Sequence, residues 1–318
     1  MGEKICAIVV TYNRKELLDK CLNALLNQST KVDNIVVIDN ASTDGTQDLL
    51  EQKYQGLVTN HKMETNTGGA GGFYEGIKTA LSGEYDWVWA MDDDTIPHDN
   101  CLEMLMKAKE KIIRFDRNPA FFASAIYGEN NECMNVPLID ECIEENGYPA
   151  WYRFLGESII TIKCATFVSV LFNRHAIEKC GLPYRDFFIW GDDSEYTFRM
   201  QKYYGRGYFV GNSIAIHLRK NATSLAKGAK DETDPVKIKR LRYYYRNMSM
   251  IGHCYYKSRK QTTNDIKLLL SGVKNLTSKN GLLRFSTIVS GLFESITGRN
   301  KLRRYINEQV KSKGSDSV

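Results

Sequence analysis

Trp87-Val88-Trp89-Ala90-Met91 is an aromatic and apolar run with the composition of a buried strand, and it ends abruptly in Asp92-Asp93-Asp94. Three adjacent carboxylates cannot continue a strand inside a core without partners, so they must sit where the strand leaves its sheet. A hard divalent cation, Mg²⁺ or Mn²⁺, takes oxygen ligands and bridges one or two protein carboxylates to substrate phosphates. Asp92 and Asp94 are therefore candidates to hold such a cation against a diphosphate; a solvated acidic turn is the plain alternative for the triplet taken alone. A second acidic group follows another aromatic run, in Phe187-Phe188-Ile189-Trp190-Gly191-Asp192-Asp193-Ser194-Glu195. Capping of a helix N-terminus accounts for one acid there. Two or three suit a general base that takes a proton from a hydroxyl nucleophile. Ser194 has no GxSxG elbow and no evident histidine partner, which sets it aside as a nucleophile. His217 closes the apolar run Ile214-Ala215-Ile216 and is a candidate third metal ligand.

The elements that would position these groups read as an α/β fold. Lys4 to Thr11 is a near-continuous apolar strand, Lys15 to Asn27 has Leu17, Leu18, Cys21, Leu22 and Leu25 at helical spacing, and Asn34 to Ile38 is a second strand. A turn and helix follow at 42–46, with a weaker strand near Leu57-Val58-Thr59. A β-α-β-α opening predicts a parallel sheet with right-handed crossovers, and ligands of such sheets bind beyond the carboxyl ends of the strands. Those ends carry Thr11-Tyr12-Asn13-Arg14, Asp39-Asn40 and Asp92-Asp93-Asp94, and Asp39 could accept hydrogen bonds from a base or ribose. Between the second and third lies Asn66-Thr67-Gly68-Gly69-Ala70-Gly71-Gly72-Phe73, which is neither GxGxxG nor a P-loop. Its glycines allow close backbone approach to a ligand, and a helix over 71–81 would aim its N-terminus at the same edge, where an anion is welcome. Further expectations are a helix over 98–112, a strand over 121–126, an irregular acidic stretch over 128–160, one strand from Thr161 to Phe172, a helical turn over 174–180, and a closing strand pair at 208–210 and 214–217.

With 318 residues, 42% hydrophobic and 25% charged, the composition is that of a globular protein with a sizeable core. The start, Met1-Gly2-Glu3-Lys4, runs straight into a core strand with no signal-peptide pattern, and no apolar run is long enough to span a bilayer. The eight cysteines are scattered without zinc spacing, which fits a reducing cytosol. The net charge of +5 hides an asymmetry: residues 1–234 carry −9 and residues 235–318 carry +14. The expected division is a catalytic domain over 1–234 and a basic helical region over 235–318, with a disordered tail at 311–318. In the basic region, 236–256 and 281–297 have helical apolar stripes. It would face an acceptor, an anionic membrane surface or another subunit. No nucleic-acid motif accompanies the charge.

Taken in order, Val9-Val10-Thr11-Tyr12-Asn13-Arg14, Val37-Ile38-Asp39-Asn40-Ala41-Ser42-Thr43-Asp44-Gly45-Thr46, the glycine block at 66–72, Asp92-x-Asp94 and Trp190-Gly191-Asp192-Asp193-x-Glu195 resemble the inverting nucleotide-sugar glycosyltransferases of family two, over most of residues 4–220. The glycine block and the WGDD form are most similar to bacterial galactofuranosyl- and rhamnosyltransferases of cell-wall, capsule and O-antigen synthesis. The resemblance implies a GT-A fold with a mostly parallel sheet, Mn²⁺ or Mg²⁺ as cofactor, a UDP- or dTDP-sugar donor, a lipid-linked or polysaccharide acceptor, and a cytoplasmic place, peripheral on the inner membrane face. It implies donor binding by Thr11, Asn13, Arg14, Asp39, Asn66, Gly68, Gly69, Asp92, Asp93 and Trp190. A metal would be held by Asp92, Asp94 and His217. Asp193 would be the base, with Asp192 beside it on acceptor or sugar; many members have Glu where this chain has Asp192, so the two share the assignment. Residues 235–318 match only loosely, through Tyr243-Tyr244-Tyr245-Arg246-Asn247. The other readings are a sugar nucleotidyltransferase, which would need a Lys/Arg loop near the first strand where only Arg14 and Lys15 stand, and a non-catalytic nucleotide-sugar-binding scaffold at a membrane.

Overall fold

The computed structural model describes residues 2–219 and 224–311. Strand β1 (Ile5–Thr11) is apolar throughout because both faces of its sheet are covered: Ile5, Ala7 and Val9 enter one buried cluster, Cys6, Ile8 and Val10 the other. Helix α1 (Lys15–Leu26) buries Leu18, Cys21, Leu22 and Leu25, one face of a 3.6-residue repeat. Then come β2 (Asn34–Asp39), α2 (Thr46–Lys53), β3 (Thr59–Lys62), α3 (Gly68–Leu81), β4 (Trp87–Asp92), β5 (Thr95–Pro97), α4 (Cys101–Ile112) and β6 (Phe121–Tyr127). The expected weak strand near Leu57 lies slightly later, as β3, and is an exposed edge. Helix α3 starts at Gly68 rather than Gly71, so the glycine block is the first turn itself.

Short strands β7 (Cys133–Met134) and β8 (Leu138–Ile139) interrupt the irregular acidic stretch. The single strand expected from Thr161 to Phe172 is two, β9 (Ile159–Cys164) and β10 (Val170–Asn173). Their connection turns through Ser169 at φ 60°. The split has a topological cause: β9 pairs with a later strand, whereas β10 inserts antiparallel between β4 and β6. After α5 (Arg174–Cys180) and α6 (Asp192–Tyr203), β11 (Gly207–His217) is one strand with a register shift between Val210 and Ile214, not a pair. Four helices close the described chain: α7 (Leu225–Asp231), α8 (Pro235–Tyr255), α9 (Ser258–Lys274) and α10 (Gly281–Lys311). Helix α10 extends well past residue 297, and of the expected 311–318 tail, residues 312–318 lie outside the described residues.

The sheet order is β3-β2-β1-β4-β10-β6-β11-β9-β8, with β5 added to β11 and β7 to β6. Its first half is parallel and the whole sheet is mixed. Because β10 is antiparallel to both its neighbours, β1, β2, β4, β6 and β11 share one direction, and their carboxyl ends meet at one edge. Helices α1, α2 and α4 cover one face and α3, α5 and α6 the other. The C-terminal helices dock onto this layer: Met250 and Ile251 of α8 and Leu302 and Ile306 of α10 pack with Ala70 and Phe187. Helix α10 crosses α8 closely, since a Cβ at Gly291 would lie 2.8 Å from Arg242 O and one at Gly298 2.6 Å from Met250 Sδ. Among the described residues no helix is long and apolar enough to cross a membrane.

Candidate active site

Sheet register places the first polar groups. Thr11 is opposite Asp39 across β1 and β2, and Val10 is opposite Asp92 across β1 and β4, so three strand ends lie side by side. Where β4 stops, the acids turn inward and find partners. Thr11 Oγ1 donates to Asp93 Oδ2 at 2.8 Å, and Arg14 Nη1 reaches Asp94 Oδ2 at 2.7 Å and Asp93 Oδ1 at 3.3 Å. Asp93 and Asp94 are buried. Burial raises Asp93 to about 6, with Arg14 opposing. Asp94 goes the other way: against its burial, His217 and Arg14 hold it below the usual carboxylate range. Burial and then the charges of Asp94, Asp93 and Asp192 push Asp92 well up. The electrostatic reach of Asp192 to Asp92 ties the two acidic groups, one on β4 and one on α6, into one site.

His217 arrives through strand pairing, His217 being opposite Thr95 across β11 and β5. Its Nε2 stands 3.0 Å from Asp94 Oδ1, a buried oxygen that accepts no well-aligned hydrogen bond. Its Nδ1 is 2.8 Å from Asn135 Oδ1. A carboxamide oxygen only accepts, so Nδ1 carries a proton and Nε2 is the ring nitrogen left to face Asp94. An oxygen and an oriented imidazole form a donor pair that suits Mn²⁺ or Mg²⁺, with donor phosphates supplying further ligands. Among the described residues no three His, Cys, Asp or Glu side chains form a ready-made metal cluster.

The loops around the acids are tied to one another. Asn13, at φ 54°, accepts from Thr43 N at 2.7 Å, and its own N–H donates to Ser42 Oγ at 2.9 Å. Asp39, fully buried, accepts from Ser42 N at 2.8 Å and from Gln47 Nε2. Asn40 bridges to the glycine block, donating to Gly68 O at 2.8 Å and accepting from Thr67 N at 2.9 Å. The exposed Asn66 accepts from Gly68 N at 2.8 Å. Thus Thr11, Arg14, Asp93, Asp94 and His217 form one network, whereas Asn13 and Asn66 use their side chains on neighbouring backbone. Gly68 has φ +74°, and a Cβ there would lie 1.9 Å from Phe188 O; a Cβ on Gly69 would meet nothing within 4 Å, leaving that backbone open to a ligand.

The second acidic group follows a strained loop. Phe188 has φ 65° and ψ −59°, Ile189 N donates to Phe187 O at 2.7 Å, and Trp190 and Gly191 have φ 63° and 91°. This is a γ-turn followed by two left-handed residues, a backbone kept only where its surroundings impose it. Trp190 packs edge-on to Tyr244, ring centroids 6.5 Å apart. Helix α6 then starts on Asp192 and Asp193. Burial and the Asp193 charge raise Asp192 to about 8. Burial raises Asp193 as well, but Ser194 N, 2.6 Å away, and Ser194 Oγ, 3.2 Å away, both face its Oδ1 and favour the ionised form. Burial thus disfavours the ionised form of Asp192, while the Ser194 donors favour that of Asp193. Glu195 is spent on structure: with Arg199 it makes a fully buried ion pair of 2.6 Å, and it accepts from Tyr255 Oη at 2.6 Å. Reading the sequence marked Asn40 only as part of a polar strand end and missed Asn135, because a single asparagine in a polar stretch has no periodicity to mark it.

Residues 6–124 match the family model Glycosyl transferase family 2. Galactofuranosyltransferase GlfT1 of Mycolicibacterium smegmatis is 39% identical over 98 residues, 30% of this chain and 32% of that protein. The GlfT1 of Mycobacterium tuberculosis is 29% identical over 203 residues, 61% of this chain and 64% of that protein. The chain thus spans between about a third and two thirds of the length of these curated relatives. Among solved structures, S. aureus TarS 1-349 in complex with UDP-GlcNAc is similar with a TM-score of 0.56 at 14% identity, over 98% of this chain and 88% of that one, a likeness of fold.

Proposed function

Since this chain belongs to glycosyl transferase family 2 and has the GT-A fold, we propose that it transfers a sugar, with inversion, from a UDP- or dTDP-linked donor to a hydroxyl of a lipid-linked or polysaccharide acceptor in bacterial cell-wall, capsule or O-antigen synthesis. The observation that carries this reading is the convergence of Asp92 to Asp94 with Asp192 and Asp193 at one sheet edge, beside the open backbone of Gly69. Galactofuranose is the first donor sugar to test, from the two similar galactofuranosyltransferases, and rhamnose the second.

Residue roles follow from position. The nucleoside would lie over Thr11, Asn13, Arg14 and Asp39, and the diphosphate near Arg14, Asn66, Gly68 and the N-terminus of α3, whose helix dipole favours an anion. Asp94 and His217, with Asp92 nearby, would hold Mn²⁺ or Mg²⁺, whose charge stabilises a departing diphosphate. Asp193 takes the proton of the acceptor hydroxyl as its oxygen attacks the anomeric carbon opposite the diphosphate. The bond from that carbon to the phosphate oxygen breaks, and the nucleoside diphosphate leaves with the electron pair. Asp192, protonated, donates a hydrogen bond to sugar or acceptor, and Trp190 offers its ring to the sugar. For the basic region, the exposed Leu282, Val289, Phe293 and Ile296 of α10 lie in a chain segment of net charge +14, which favours anionic headgroups at the inner membrane face.

The test is transfer from UDP-galactofuranose and dTDP-rhamnose with Mn²⁺, together with calorimetric binding of UDP, dTDP and GDP with and without the metal. Asp193→Asn is expected to bind the nucleotide as the parent does and to lose transfer. Retained turnover moves the base to Asp192, and absence of any nucleotide binding overturns the whole reading. Flotation with anionic vesicles checks the membrane contact, which fails if the protein stays at the bottom of the gradient.

A further inference from the structure

The loop that presents Asp192 and Asp193 is held from outside the sheet. Asn247, fully buried on α8, turns its amide towards three backbone carbonyls at once: Nδ2 lies 3.1 Å from Phe187 O, 3.0 Å from Ile189 O and 2.7 Å from Trp190 O. The neighbouring Arg246 donates from Nη2 to Asp186 O at 2.8 Å and to Phe187 O at 3.0 Å, and from Nε to Asn247 Oδ1 at 2.8 Å, which fixes the orientation of the amide. The carbonyl they leave, Phe188 O, accepts from Ala70 N at 3.1 Å, in the first turn of α3. Each carbonyl from residue 186 to 190 is therefore engaged, four by α8 and one by the glycine block. Gly191 lies under the same helix, since a Cβ there would be 2.7 Å from Met248 Cε and 3.4 Å from Asn247 Cβ.

The left-handed backbone at Phe188 and Trp190 costs on the order of 1–3 kcal/mol per residue and persists only when its surroundings impose it. The loop's own hydrogen bonds are short-range turns, Phe187 N to Tyr184 O at 3.3 Å, Phe188 N to Arg185 O at 3.2 Å and the γ-turn, and the helix it introduces begins only at Asp192. We propose that Asn247 and Arg246 are positioning residues for catalysis, which hold the strained loop so that Asp193 meets the acceptor hydroxyl and Asp192 stays buried beside it. The proposal rests on the transferase reading above. It makes the C-terminal helices part of the catalytic machinery rather than an appendage, and it couples the base to the donor side through Phe188 O and α3. A loop released by about 1 Å is enough to cost 100-fold in rate.

The test compares Asn247→Asp with Asn247→Ala and Arg246→Lys. Aspartate has the shape of asparagine and keeps the acceptor for Arg246 Nε but has no N–H for the three carbonyls. Asn247→Asp and Asn247→Ala are both expected to lower kcat by about 100-fold, with UDP affinity in calorimetry within about twofold of the parent. Arg246→Lys, which retains a donor, is expected to lower kcat less than either Asn247 variant. Wetting of the loop moves the lower limb of the kcat pH profile to more acid pH, since Asp193, the base, is raised chiefly by burial; loss of folded protein alone lowers the rate without moving the profile. Hydrogen exchange read by mass spectrometry gives an answer independent of turnover: amides 187–195 exchange faster in both Asn247 variants while β1, β2 and β4 stay protected. Unchanged exchange over 187–195, or an unchanged pH profile with a rate loss that matches the unfolded fraction, overturns the proposal. Should the parent protein itself bind no nucleotide and transfer nothing, the functional reading falls while the exchange experiment still reports on the clamp.

Discussion

Replacing Asp192 by asparagine should stabilise the protein, and by an amount that grows with pH. Folded Asp192 keeps its proton up to about pH 8 because burial and the Asp193 charge disfavour ionisation, whereas an aspartate in the unfolded chain releases its proton near ~3.9. Between those values the folded state binds one proton more than the unfolded state. Its stability is then greatest below pH 4 and falls by ~1.4 kcal/mol for each pH unit up to about 8. Asparagine has the shape of the protonated acid and no proton to lose, so it removes this slope. From pH 5 to pH 7 the advantage of Asp192→Asn grows by about 3 kcal/mol. With an unfolding entropy of about 2.1 cal/mol/K per residue over 318 residues, that is ~4 °C in Tm. Asp94 does not blur the window: it is held below the usual range by His217 and Arg14, so its contribution is lost only as pH falls through that depressed value. The assay is thermal unfolding of parent and variant in metal-free buffer from pH 5 to 8. A Tm difference that stays flat with pH, or a variant that falls behind at pH 8, would refute the assignment of a raised, proton-bearing Asp192.

Three further outcomes follow from particular contacts. Glu195→Gln leaves Arg199 charged in a place with no exposure and should cost about 3–5 kcal/mol in urea unfolding, while the double replacement of Glu195 and Arg199 by leucine recovers most of it; a single variant within about 1 kcal/mol of the parent shows the pair to be dispensable. Asp94→Ala removes the oxygen facing His217 and should lower the Mn²⁺-dependent part of UDP affinity at least ~10-fold by calorimetry, and unchanged affinity places the metal elsewhere. Gly68→Ala puts a Cβ 1.9 Å from Phe188 O in a left-handed backbone and should destabilise by at least ~2 kcal/mol while slowing transfer; normal Tm and kcat would mean that the two loops yield easily.

What could be read from the sequence was whatever leaves a periodic or abrupt signal. Strands β1, β2 and β4 are legible because burial on both faces makes them continuously apolar, and the carboxylates stand out because they end those runs. Helix α1 is legible through Leu18, Cys21, Leu22 and Leu25. Long-range pairing left no such mark: nothing in Val170 to Asn173 says that this segment slides between β4 and β6. Helix α9 escaped for the opposite reason, since Ile266, Leu270 and Val273 form an apolar series that faces solvent and Leu268 and Leu269 pack inward. Asn135 and Asn247 were invisible in their roles because a carboxamide becomes informative only once its neighbours in space are known.

The insertion of β10 sets an order on how the chain can be made. When the ribosome has released β4, the edge of its apolar backbone is still bare, and it stays so until Val170 to Asn173 emerge to cover it. Asp192 and Asp193 appear next, and the helix that seats their loop later still; at about 5–20 residues per second the interval between Asp193 and Asn247 lasts several seconds. A nascent or prematurely terminated chain therefore possesses every carboxylate of the site yet has no means of aligning them. Until β11 emerges, the free edge of β6 is the one that such a chain still exposes.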